Sequence, residues 1–329
     1  MKSLIEQFGQ HIEDALQNLE SSSFKKPPLP IHNVLISGLG GSGIGGTIVS
    51  ELVQGVSPVP ITVIKDYNIP AFVNENTLVI ACSYSGNTEE TLWATREALS
   101  HHAEVCCITS GGRLKELASS KGLNMLNMQG GNPPRSMFAF AFAYLAYILE
   151  FYGLAELGVA KQLRDSAKLL ADKTETIKSE AETIAQKLQG KIPVLYAVSG
   201  QTGIASRWRQ QLNENAKMLA WEATIPEMNH NELVGWEGGS SQFAAVFLRN
   251  KTDFERNQKR IEIIKEIIRQ KTDTVLEVWS QGEDILPRAF YLIHLGDWVS
   301  YYLSELNQVD IIDIRSIDHL KTELSKVPL

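Results

Sequence analysis

Gly38-Leu39-Gly40-Gly41-Ser42-Gly43-Ile44-Gly45-Gly46 follows directly on the apolar run Val34 to Ser37 and precedes a helical pattern over Ile44 to Val53. A buried strand, a glycine turn and a helix start in that order bring backbone N–H groups and the positive end of a helix dipole to one point. That predicts an anion site. The run satisfies Gly-x-Gly-x-x-Gly from Gly38 and again from Gly41, and Asp66 closes the next strand where dinucleotide folds keep a ribose-binding acid. A nicotinamide-dependent oxidoreductase is therefore one reading of the loop, and tight helix–strand packing is another.

The following strand, Thr77 to Ser83, ends in Ser83-Tyr84-Ser85-Gly86-Asn87-Thr88-Glu89-Glu90-Thr91, a hydroxyl-rich turn opening a helix over Thr88 to Leu99. Helix capping needs one hydroxyl, whereas Ser83, Ser85 and Thr88 put three in a small volume. Such a site suits a phosphomonoester, whose terminal oxygens accept several hydrogen bonds, better than a bridging pyrophosphate. The Gly-Lys-Ser/Thr loop of ATPases does not occur, which removes support for nucleotide hydrolysis.

Outward from these loops, strands at Ile31 to Ser37, Pro60 to Lys65, Thr77 to Ser83, Glu104 to Thr109 and near Met125 alternate with helical patterns, predicting an α/β domain. Ahead of it, Met1 to Glu20 carries a helical stripe of Leu4, Phe8, Ile12, Ala15 and Leu19, then a linker marked by Ser21 to Ser23 and Pro27-Pro28. Behind it, Met137 to Leu149 is apolar for 13 residues, a core helix rather than a membrane span of about 20. Val159 to Gln189 reads as one solvated helix. The pattern then begins again. Pro193 to Val198 ends in Ser199-Gly200 and leads to a helical stretch reaching about Ala220. Strands Phe243 to Arg249 and Thr274 to Trp279 flank a helix over Phe254 to Gln270, and an apolar helix covers Pro287 to Leu306. The expected division is 1–152 for the N-terminal helix and first domain, 153–190 for a helical connection and 191–329 for a second domain. Each domain is expected to be a doubly wound parallel sheet flanked by helices.

Composition agrees with an ordinary globular protein. The chain has 329 residues, enough for about two domains at roughly 150 each. Its 31 Lys and Arg against 38 Asp and Glu give a net charge of −7 without basic clusters, which disfavours a nucleic-acid surface. The N-terminus lacks the apolar centre of a secretory signal, and Cys82, Cys106 and Cys107 lie in apolar runs without metal-ligand spacing. A cytoplasmic protein with buried thiols and no membrane contact is expected.

Further motifs lie at Pro134-Arg135, Leu212-Asn213-Glu214-Asn215-Ala216-Lys217, Asn229-His230-Asn231-Glu232 and Ile317-Asp318-His319-Leu320-Lys321. The Ser83 to Thr91 loop resembles the phosphosugar loop of sugar isomerase (SIS) domains, and the Gly38 loop fits the same fold. The further motifs resemble those of the bifunctional phosphoglucose/phosphomannose isomerases, the whole set running from residue 38 to 321. This resemblance implies two tandem SIS domains in a homodimer that interconverts glucose 6-phosphate, and also mannose 6-phosphate, with fructose 6-phosphate, using neither metal nor organic cofactor. It implies that Gly41, Ser42, Ser83, Ser85 and Thr88 hold the phosphate, Glu214 moves the proton between C1 and C2, and Arg135 stabilises the enediolate. It also implies that His230, donated by the other subunit, and Lys321 act in ring opening.

The chemistry asks for such groups independently. One positioned carboxylate can remove and return a carbon-bound proton, a fixed guanidinium suits developing oxyanion charge, and a histidine titrates near neutrality. Glu214 as a surface carboxylate, Arg135 as a charge on a Pro-Pro turn and Lys321 as a terminal lysine are the plain alternatives. His294, in an apolar run, reads as a satisfied core histidine, and His101 and His102 as helix-end residues. Where many relatives carry Asp-Pro-Thr-Pro-Val, this chain has Asp310-Ile311-Ile312-Asp313-Ile314. Isoleucine cannot impose a polar readout at C2, so weak discrimination between the C2 epimers is expected.

Overall fold

The computed structural model describes residues 1–327. Five strands, β1 (Asn33–Ser37), β2 (Ile61–Ile64), β3 (Thr77–Ser83), β4 (Glu104–Thr109) and β5 (Asn124–Asn127), form an all-parallel sheet in the order β2-β1-β3-β4-β5. Four more, β6 (Ile192–Val198), β7 (Trp221–Ile225), β8 (Phe243–Arg249) and β9 (Val275–Trp279), form a second parallel sheet in the order β7-β6-β8-β9. Both orders reverse direction beside the first strand, and such a switch point opens a crevice at the carboxyl ends of the two strands that flank it. In the first sheet those strands are β1 and β3, which carry the two loops singled out above.

The strands are near-continuous apolar runs because both faces are covered. Successive side chains point to opposite faces, so Val34, Ile36, Leu78 and Ile80 join one core while Leu35, Val79 and Ala81 join another. The outer core of the first sheet is closed by α4 (Glu89–Ser100) and α5 (Gly112–Lys121). The outer core of the second is closed by α11 (Glu255–Ile268). Between the sheets runs a single core built on α2 (Phe8–Glu20), α3 (Gly40–Val53), α6 (Phe138–Phe151), α7 (Val159–Asp172), α8 (Thr174–Leu188), α9 (Thr202–Ala216) and α12 (Ile285–Leu306). Here α3 packs on α9, and α12 packs on α7, α8 and α9, so the two halves share their interior. Three short helices complete the set: α1 (Lys2–Glu6), α10 (Glu232–Gly235) and α13 (Arg315–Leu324).

Four details differ from the sequence reading. The helix after β1 starts at Gly40, inside the glycine run, because its first turn needs close backbone approach rather than side-chain packing. The stretch Val159 to Gln189 is two helices that meet at Lys173, and neither is simply solvated: Leu163, Ala167 and Leu170 on α7 and Ile177, Ala181 and Ile184 on α8 are buried. The helical stretch expected to reach Ala220 ends at Ala216. Beyond it, Trp221–Ile225 is an edge strand whose half-exposed residues hid its period. The N-terminal stripe is carried by two helices, α1 and α2, and the core receives Phe8, Ile12, Ala15 and Leu19.

Candidate active site

The crevice at the ends of β1 and β3 is built from local backbone chemistry. Neither α3 nor α4 has a side-chain cap at its N-terminus, so the hydroxyls of the Ser83 to Thr91 loop are not spent on capping and the first N–H groups of both helices have no side-chain acceptor. Ser83 Oγ lies 2.8 Å from Thr88 Oγ1 and accepts from Gly86 N at 3.1 Å. Ser85 Oγ accepts from Asn87 N at 3.2 Å and is exposed. Gly86 has φ +66°, and a Cβ there would lie 1.8 Å from the Gly111 carbonyl oxygen, so only glycine lets this loop fold. Ser42, in the first turn of α3, meets the buried Cys82 thiol, whose pKa burial pushes up to about 12. Gly41, Ser42, Ser83, Ser85 and Thr88 are thus gathered around the switch point, and the turn can receive a compact anion.

The cradle touches the rest of the site through Gly41. A Cβ on that residue would lie 3.7 Å from the Pro134 carbonyl oxygen and 3.8 Å from Arg135 Cα, so the turn that carries Arg135 lies directly beside the start of α3. Arg135 sits on a 3₁₀ turn, Pro134–Met137, that opens α6. Its guanidinium is held at three points: Nη1 donates to Glu214 Oε1, Nε to Asn215 Oδ1 and Nη2 to the Ile311 carbonyl, each at 2.7 Å. Burial lowers the arginine's proton affinity and the Glu214 carboxylate raises it again. It stays cationic at any working pH. Glu214 lies in the last turn of α9, its side chain 30% exposed beside an arginine that is 6% exposed.

Beside Glu214 is an open hollow of about 670 Å³, lined among others by Asn213, Lys217, Asp313, Ile314 and His319. Lys217 has φ +56°, unusual for a side chain of its size, and its Nζ returns to the Glu214 carbonyl at 2.6 Å. Its pKa is lowered by burial and by the charge of Arg135.

The chain brings Arg135 and Glu214 together with the cradle, but not His230 or Lys321. His230 is exposed at the end of the 3₁₀ turn Glu227–His230 that follows β7, and Lys321 is exposed on α13; neither lines the hollow beside Glu214. Asn215, Lys217 and the Ile311 carbonyl were not singled out as separate contributors. The first two stand inside the Leu212 to Lys217 motif, where they could have been noticed, whereas a backbone carbonyl 176 residues from Arg135 leaves no trace in the sequence. The segment 310–314 was singled out for the side chains of Ile311 and Ile312, yet it meets the site through the Ile311 main-chain oxygen and through Asp313 and Ile314, which line the hollow. Asp66 is exposed and binds the neighbouring Tyr67 N at 2.7 Å. The first sheet's order, 2-1-3-4-5, is the flavodoxin-like one rather than the 3-2-1-4-5-6 of dinucleotide-binding folds, which argues against the nicotinamide reading.

Comparison with known proteins agrees with this geometry. Residues 31–149 match the SIS domain family, and residues 177–324 match the bacterial phospho-glucose isomerase C-terminal SIS domain family. A bifunctional phosphoglucose/phosphomannose isomerase of Caldicellulosiruptor bescii is 39% identical over 90% of this chain and 91% of its own. One of Aquifex aeolicus is 34% identical over 96% and 97%. A structure of a hypothetical protein from Thermus thermophilus superposes with a TM-score of 0.78 at 16% identity, covering 98% of this chain and 90% of that one, a likeness of fold. With two SIS domains and relatives 34–39% identical along nearly its whole length, the chain belongs to the bifunctional phosphoglucose/phosphomannose isomerase family of enzymes.

Proposed function

We propose that the protein interconverts glucose 6-phosphate and mannose 6-phosphate with fructose 6-phosphate, as a cytoplasmic homodimer whose own side chains supply the catalytic groups. The observation that carries the reading is the run from the Gly41 turn through the adjoining Arg135 turn to Glu214, which supports an anion site beside a carboxylate–guanidinium pair. Ser42, Ser83, Ser85, Thr88 and the backbone N–H groups near Gly41 hold the phosphate. Glu214 takes the proton from C2 of the open-chain aldose, and the electron pair passes to the C1 carbonyl oxygen, giving an enediolate stabilised by Arg135. Return of the proton to C1, with the hydroxyl proton moving from O2 to O1, leaves the carbonyl at C2.

Ring opening falls to Lys321 and to His230 of the partner subunit. Two features support that reading. His230 is exposed and does not line the hollow beside Glu214, and α13 presents Ile317, Leu320 and Leu324 at helical spacing with none of them buried. A second copy of the chain is the occupant that would cover this face and complete the site. No helix among the described residues is long and apolar enough to cross a membrane, and the three free cysteines are buried, which fits a reducing compartment.

A coupled assay with fructose 6-phosphate after exhaustive chelation tests the reading. Formation of both aldose phosphates at undiminished rate is the expected result. Activity that vanishes with chelator and returns with a divalent metal would overturn the mechanism, and mannose 6-phosphate turnover below about one-thousandth of that for glucose 6-phosphate, roughly 4 kcal/mol of discrimination, would limit the enzyme to one epimer.

A further inference from the structure

We infer that Asn215 is a positioning residue for the isomerisation, fixing the plane of the Arg135 guanidinium against Glu214, and that Ser300 fixes Asn215 in turn. This rests on the enediolate role proposed for Arg135. Asn215 and Ser300 are both fully buried, and neither belongs to a group that would touch substrate. Asn215 Oδ1 accepts from Arg135 Nε at 2.7 Å, while its Nδ2 donates to Ser300 Oγ at 2.9 Å. An arginine Nε–H can only donate, so the amide oxygen must face Arg135 and the amide nitrogen must face Ser300. The serine's own proton goes to the Asp297 carbonyl at 2.7 Å, leaving its lone pairs for the amide. Each group has one allowed role, and a flipped amide would lose both bonds.

The same helices also grip the Arg135 main chain. Arg207 donates to the Arg135 carbonyl at 3.3 Å and to both Asp297 carboxylate oxygens at 2.9 Å, and Gln211 Nε2 donates to Asp297 Oδ1 at 2.8 Å. Arg207 is 1% and Asp297 3% exposed, so this ion pair is dry and its geometry is held by the packing of α9 on α12. The arginine is therefore anchored on its inner Nε edge by a neutral amide, while Nη1 donates to Glu214 and Nη2 to the Ile311 carbonyl. Neutrality matters here. A carboxylate at position 215 would share the guanidinium's charge and leave less for a developing oxyanion, whereas an amide supplies direction without cancelling charge.

The test uses the full chain with Asn215→Asp, Ser300→Ala and Arg135→Gln. It measures kcat and KM with fructose 6-phosphate and inhibition by glucitol 6-phosphate, a polyol without a carbonyl that probes the phosphate cradle. Asn215→Asp should lower kcat roughly 100-fold and Ser300→Ala roughly 10-fold, with KM and the inhibition constant within about threefold of the parent. A kcat within about twofold of the parent, or a loss in kcat matched by an equal rise in KM, overturns the inference, because a merely structural defect would loosen the whole site. If Asn215→Asp does not fold, Ser300→Ala decides by the same criteria, since it keeps the asparagine and removes only the hydroxyl that orients it. Full turnover in Arg135→Gln would instead remove the reading of Arg135 itself. An inactive Arg135→Gln beside unaffected Asn215 and Ser300 variants would remove only the positioning role.

Discussion

Glu214, as the proposed base, must stay in place, and Arg135 holds it through one charge-assisted hydrogen bond of 2.7 Å. Glu214→Gln keeps the size and the bond-accepting oxygen but removes the basicity. Turnover should fall about 100-fold or more, the usual scale for general-base catalysis, while binding of glucitol 6-phosphate to the cradle is retained. Near-parental turnover in a folded variant would contradict the assignment. At this scale the sequence was informative where function shows as motif: Arg135 and Glu214, 79 positions apart, were both singled out and do meet. What holds them was not legible. Asn215 and Ser300 are ordinary polar residues in helices, their partnership is created only by the packing of α9 on α12, and Ile311 acts through a main-chain oxygen that any residue would carry.

Among the elements, α12 shows how a core helix hides a titrating group. His294 is fully buried, stacked on Phe8 at 5.0 Å, and its Nε2 accepts from Trp298 Nε1 at 3.2 Å, while its Nδ1 has no partner. It is thus a core histidine as expected, but only half satisfied. Burial, reinforced by the charge of Lys178, lowers its pKa from 6.5 to about 3. A histidine depressed on folding binds its proton more readily when unfolded, so its contribution to stability is present above pH 6.5 and is lost as pH falls toward 3. His294→Gln, which can still accept from Trp298, should be less stable at neutral pH but show a flatter fall in unfolding free energy between pH 6.5 and 3, as urea titrations at several pH values would reveal. An unchanged slope would show that His294 does not titrate with unfolding. The periodic elements were legible for a related reason. β3 and β4 are wholly or almost wholly buried, and their apolar runs have no other stable use, so their boundaries agree with the sequence. β7 was lost because it is a sheet edge, and an edge strand such as Trp221-Glu222-Ala223-Thr224-Ile225 need not be apolar on either face.

For the whole molecule, two parallel sheets share one helical interior, and an arginine from the first half is bonded to a carboxylate carried by the second. This tandem arrangement was legible from the restart of the strand–turn–helix pattern at Pro193. The placement of His230 was not, because its motif names a residue without naming the chain it serves. Within one chain His230 ends a turn beyond the edge strand β7, exposed, while the amphipathic α13 that bears Lys321 leaves its leucines and isoleucine uncovered. If each site is completed by His230 of the partner subunit, two different inactive chains can rebuild one good site: a His230→Ala chain contributes an intact Glu214, and a Glu214→Gln chain contributes an intact histidine. Mixing the two after unfolding and refolding together should give half of the molecules as mixed dimers by random pairing, each with one complete site out of two. About one quarter of parental activity is the expected recovery, against a background set by the unmixed variants. Purified mixed dimers carrying separate affinity tags should show one half. Mixed dimers no more active than either parent variant would place His230 in its own chain's site, and the uncovered face of α13 would then need a partner other than a second copy.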